Sequence, residues 1–167
     1  MKGLILLLLI TFISVKQNSI PSNKIIWSKD YLLQWTDFSG SPENITGTDA
    51  YTFSEINYTL SEDKVAVTCA FRKDKSLSLK SKQSIKLLQH EQYHFNLSEV
   101  YARLFRKSIS ESGKDNLEQK IKASLIELNK AQKKYDTETN HSRDTVQQAK
   151  WIKIIDGQLA ELSKYSY

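Results

Sequence analysis

Apolar and polar positions alternate with a period of two over Tyr51–Leu60 and again over Lys64–Phe71, where Val65, Val67, Cys69 and Phe71 share one side. Two such runs joined by Ser61-Glu62-Asp63 predict an antiparallel hairpin with one buried face. The aromatic and aliphatic stretch Lys24–Trp35 predicts one or two further strands, closed by the turn residues of Thr36–Pro42. After the Lys- and Ser-rich segment Arg72–Ser81 the apolar spacing lengthens to that of a helix. A first helix is predicted over about Ser84–Lys107, with Ile85, Leu88, Phe95, Ala102 and Leu104 or Phe105 facing the core. Glu99 and Arg103 fit a surface pair on it. Gly113 ends the pattern. A second helix follows over about Asn116–Thr137, with Ile121, Leu125, Leu128 and Ala131 as its apolar stripe. The third starts at Ser142 or Thr145, where Thr145 and Gln148 suit a capping box, and runs to about Lys164. It buries Trp151, Ile155 and Leu159 or Leu162. The expected class is α+β, a small antiparallel strand layer followed by three helices in a single domain.

The first residues stand apart. Met1-Lys2-Gly3 is a basic start, and Leu4–Val15 is apolar except for Thr11 and Ser14. Such a run is too short for a membrane span and suits a signal peptide, taken as residues 1–19, ahead of a domain over 20–167. One cysteine, Cys69, excludes an intrachain disulfide and reads as a core residue. Export without disulfides, in a Lys-, Ser- and Asn-rich chain, points to a bacterial envelope, periplasmic or extracellular. The formal charge of +5 is concentrated in Arg72–Lys86 and Lys120–Lys134. That surplus reads as solvated faces, with weak attraction to an anionic envelope surface as the lesser reading. Nucleic acid is disfavoured, because no aromatic residues interleave with the basic ones. Nothing in the sequence specifies an oligomeric state.

The chemistry lies in His90-Glu91-Gln92-Tyr93-His94 on the first helix. Histidines at i and i+4 lie one turn apart on one face and can share a cation. Glu91, about 100° round the helix, can reach a water on that cation without displacing it. Two ligands and an adjacent base are what metal-assisted hydrolysis needs, with one Zn²⁺ expected per chain. Glu99 is excluded as the third ligand, since it lies about 140° from His94 and about 180° from His90. His141, the one remaining histidine, sits at the junction of the second and third helices and is the expected third ligand. Asp136 and then Glu138 are the alternatives, Asp136 otherwise serving as a partner of a ligand imidazole. Tyr135 is a candidate donor to the developing oxyanion.

The run HEQYHFNLSEVYARLFR, followed by YDTETNH and then Gln148 and Trp151, resembles a bacterial family of predicted secreted zinc-dependent proteases, domain-of-unknown-function family 922. WTDFSGSP at Trp35–Pro42 resembles the early motif of that family. The resemblance implies a zincin-like domain with His90 and His94 as ligands and Glu91 catalytic. Asn96 stands where the family pattern has Asp, and Ser142 where it has Gly. The expected activity is hydrolysis of a peptide or protein substrate. Another zinc-dependent amidase or hydrolase, or a non-catalytic envelope-binding module with a structural metal, are the competing classes.

Overall fold

The computed structural model describes residues 23–41, 43, 47–62 and 64–167; the expected signal peptide lies outside the described residues. Strand β1 (Lys24–Ile26) is followed by β2 (Ala50–Tyr51), β3 (Ser54–Leu60), β4 (Val65–Arg72) and β5 (Leu77–Ser78). Helices α1 (Ile85–Ser112), α2 (Leu117–Thr139) and α3 (Thr145–Glu161) complete the chain. The class is α+β, as the patterning implies.

The alternating runs form the antiparallel β3–β4 pair, from Ser54↔Phe71 to Leu60↔Val65. β1 pairs with the other edge of β4, so the sheet order is β1-β4-β3, and β2 pairs separately with β5. Of the aromatic stretch Lys24–Trp35, only three residues are strand. The rest runs into a 3₁₀ turn, Trp35–Asp37, whose buried carboxylate accepts from the Gln34 N–H and the Tyr31 hydroxyl and faces Lys73. Gly40 lets this loop dock on the turn before β5. Its N–H bonds the Ser76 carbonyl, and a Cβ there would lie 2.9 Å from the same oxygen.

One face of the sheet packs on α1. Phe71 meets Phe38 and Phe95 at ring distances of 5.1 and 5.7 Å, and Val67 and Cys69 are buried with them. Burial pushes the Cys69 thiol pKa well up, as befits a core thiol. α1 starts at Ser84, whose Oγ accepts from the Leu87 N–H, and ends at Gly113 with φ 74°. It runs past the expected end at Lys107 to Gly113, where Lys120 Nζ bonds the carbonyls of Ser112 and Gly113.

Three local expectations are corrected. Ile85 is 89% exposed, while Leu87 takes the core position in that first turn. Glu99 and Arg103 are buried, not a surface pair. Glu99 Oε1 receives Arg103 Nε and Arg106 Nη1, both at 2.9 Å, and the two arginines continue to the carbonyls of Leu159 and Tyr165. Charge neutralisation and saturated hydrogen bonding make this burial tolerable, and they tie the C-terminal segment to α1. Finally, α3 is capped by Asp144, which accepts from the N–H groups of Val146 and Gln147. Gln148 is thereby freed for another task.

Candidate metal centre

α1 presents His90 and His94 to α2, and Asp136 arrives from the last turn of α2. His90 Nε2 and His94 Nε2 are 3.1 Å apart, and Asp136 Oδ1 lies 3.1 and 3.0 Å from them. These three atoms form a near-equilateral triangle. Four ligands at zinc-bond lengths of about 2.0–2.1 Å in a tetrahedron are separated by about 3.3 Å, so the triangle suits one face of such a site.

The other nitrogen of each ring is held by a carboxamide. His90 Nδ1 lies 3.0 Å from Gln148 Oε1, and His94 Nδ1 bonds Gln132 Oε1. Neither carboxamide is free to turn over. Gln132 Nε2 donates to the His94 carbonyl and Ser98 Oγ, and Gln148 Nε2 donates to the Tyr135 hydroxyl. The amide oxygens therefore accept from Nδ1–H, and both Nε2 atoms turn a lone pair toward the carboxylate. Three acceptors meeting at about 3 Å call for a cation between them.

A proton on either imidazole can take the place of that cation, its Nε2–H then donating to the carboxylate. Burial alone would raise the Asp136 carboxyl pKa, but hydrogen bonds from His90 and His94 outweigh it and hold the group well below the usual carboxylate range. Burial depresses the His94 imidazole, and the Asp136 hydrogen bond with the charges of Glu91 and Asp136 more than reverses that, raising it.

Glu91 is 3% exposed, and its Oε2 has no hydrogen-bond partner. It lines the same cleft as the three donors, a cavity of about 450 Å³ between α1, α2 and the segment 47–54. A carboxyl oxygen left unpaired at such burial is costly unless a water or substrate group meets it.

The remaining expected residues fall differently. His141 is not in the three-donor group. It sits in the α2–α3 loop with a side chain 53% exposed, and its Nδ1 is 3.4 Å from Asp136 Oδ1 at the edge of the cleft. Asp136 completes the three-atom group in place of the expected His141, since α2 continues through Thr139 and leaves His141 beyond its end. Glu138 faces away and accepts from Trp151 Nε1 at 2.8 Å. Tyr135 is fully buried, its ring stacked on His90 at 4.6 Å. Its hydroxyl donates to the His90 carbonyl, and burial pushes its pKa far up. Tyr135 packs behind His90 and is not among the residues lining the cleft, which leaves its hydroxyl no place to meet the expected oxyanion. Glu99, on the opposite face among arginines, is no ligand, as its angle on the helix requires.

Sequence reasoning passed over Gln132 and the role of Gln148. Gln132 was discoverable, since it lies four residues before Asp136 and so on the same helix face. Asn96 accepts from Trp27 Nε1 and Gln92 Nε2, both at 3.0 Å. Gln92 Oε1 accepts the Leu33 N–H at 2.7 Å. These two residues of α1 therefore fasten the N-terminal segment to the back of the helix that bears His90 and His94.

No family model, no curated protein and no solved structure matches the chain.

Proposed function

We propose that this chain is an exported zinc-dependent peptidase whose ligands are His90, His94 and Asp136 and whose general base is Glu91. The observation that carries the reading is that the buried Glu91, one carboxylate oxygen of which has no partner, lines the same cleft as three converging candidate metal donors. A structural zinc site closes on four protein ligands, whereas a catalytic site keeps three and an open position beside a base. The motif resemblance to secreted zinc-dependent proteases points the same way.

Held by His90, His94 and Asp136, a zinc ion would supply an electrophile for a carbonyl and would lower the pKa of a water toward neutrality. Glu91 takes the proton of the attacking water and returns it to the leaving amine. Gln132 and Gln148 keep the imidazoles in the tautomer that presents Nε2. The segment Thr52–Ser54, which lines the cleft and leads into β3, offers backbone for an extended peptide; β3 has no strand partner on its outer side among the described residues.

The test is Glu91→Gln, which preserves shape and ligands while removing the base. The parent should bind about one zinc per chain and cleave peptides from a mixed library. The variant should bind equal zinc, melt like the parent and lose at least about 10²-fold in turnover, the lower end for general-base loss. Equal turnover by both, or a folded parent that takes up no zinc, overturns the proposal.

A further inference from the structure

The cleft carries a fixed charge pattern beyond the metal donors. Its lining holds the carboxylates Asp49, Glu91 and Asp136 and the cations Lys133 and Arg143. A divalent ion on the three donors reverses the sign of that lining from one negative to one positive. Most cations of this region are already matched. Lys130 faces Glu127 at 2.7 Å, Lys134 faces Glu138 at 3.8 Å, and Arg143 faces Asp49 at 3.2 Å. Lys133 lines the cleft with no carboxylate partner among the described residues.

Its place on α2 matters. Lys133 is three residues before Asp136 and therefore on the same side of the helix, about 4.5 Å along the axis at 1.5 Å per residue. An extended peptide advances about 3.3 Å per residue. A group held by Lys133 therefore belongs to a residue one or two removed from the bond at the metal. Asn129, a further turn back, continues this polar wall of the cleft.

We infer that the cleft selects peptides bearing a carboxylate one or two residues from the cleaved bond, with Lys133 as the specificity-determining cation. This rests on the peptidase reading above. The ammonium is a point charge with three donors and accepts either an acidic side chain or a free chain terminus, so the shared chemistry is the carboxylate itself. The exposed setting limits the gain to the upper end of a screened ion pair, about fivefold.

Four versions of one peptide series separate the possibilities: internal Glu with an amidated end, neutral with a free carboxyl end, neutral amidated, and internal Lys amidated. For the zinc-loaded parent, kcat/KM should favour one of the two carboxylate versions over the neutral amidated one by about fivefold at low salt. Preference for the Glu version identifies a side-chain reader, and preference for the free-terminus version a reader of chain ends. Lys133→Glu should reverse the order toward the Lys peptide, and Lys133→Arg should retain the parental order. Binding gives a second readout independent of turnover: zinc-loaded Glu91→Gln, with and without Lys133→Glu, titrated with fluorescein-labelled versions by anisotropy. Cleavage of all four at equal rates by parent and Lys133→Glu overturns the inference and leaves the peptidase standing. Carboxylate-selective binding that Lys133→Glu abolishes, with no turnover by the parent, keeps Lys133 as a carboxylate-binding cation but overturns the peptidase and, with it, selection at a cleaved bond. Neither cleavage nor selective binding overturns both.

Discussion

His90 Nδ1 and Gln148 Oε1 lie 3.0 Å apart, joining α1 to the first turn of α3 across 58 positions of sequence. The bond fixes which nitrogen of His90 faces Asp136. Gln148→Ala should therefore weaken zinc binding by about 10–100-fold, the usual cost of deleting a partner behind a ligand. Gln148→Glu, which restores an acceptor, should recover most of it. Competition against a chromogenic chelator measures both, and an unchanged affinity in the alanine variant refutes the tautomer argument.

Asp136 and His141 make opposite predictions for the same measurement. Asp136→Ala should lose zinc to about the extent that His94→Ala does, because each removes one of three converging donors. His141→Ala should retain near-parental zinc, since its ring is half exposed and outside the triangle. Elemental analysis of the three variants after dialysis decides it. Loss in His141→Ala with retention in Asp136→Ala would restore the assignment drawn from sequence.

The loop that delivers His141 is conformationally expensive. Asn140, His141 and Ser142 all have positive φ, of 47°, 50° and 72°. Asparagine tolerates that region; serine does so less readily, and glycine is free in it. Ser142→Gly should thus stabilise the protein by about 0.5–1 kcal/mol, raising Tm by about 2–4 °C at the upper end for a domain of this size. Differential scanning calorimetry is sufficient, and a lowered Tm counts against strain at Ser142.

Acid should act on the sheet through Glu55. Its carboxylate meets Lys24 Nζ at 2.5 Å and Arg72 Nη1 at 3.1 Å. Burial raises its pKa, but these two partners outweigh it and the net direction is down from 4.5. A depressed carboxyl contributes stability that is fully present above its unfolded value and is lost as pH falls through its folded one. The Tm difference between parent and Glu55→Gln should hence be constant from about pH 7 to 5 and shrink below about pH 4.5. A difference independent of pH down to 3 contradicts this.

The hairpin, the three helices and the helix that bears His90, Glu91 and His94 were legible in the sequence because they are local. Alternation over Val65–Phe71 and apolar recurrence through Leu88, Phe95 and Ala102 each need only a few neighbours to declare themselves. The order of Glu91 between two histidines on one turn is likewise a property of helix geometry alone. The third donor is not of this kind. Whether Asp136 or His141 meets the pair depends on where α2 stops, at the left-handed cap Asn140, and on how α2 packs on its neighbours, where Tyr135 lies against His90 and Trp151. The same holds for Glu99 and Arg103. Their spacing reads as a solvated pair, and only the arrival of the C-terminal carbonyls over that face makes the buried network affordable. Gln148 reads as a capping residue until Asp144 takes the cap and α3 swings it onto His90. Local periodicity specifies which face of each element is apolar; partners far apart in sequence, brought together by packing, decide which polar groups on those faces meet.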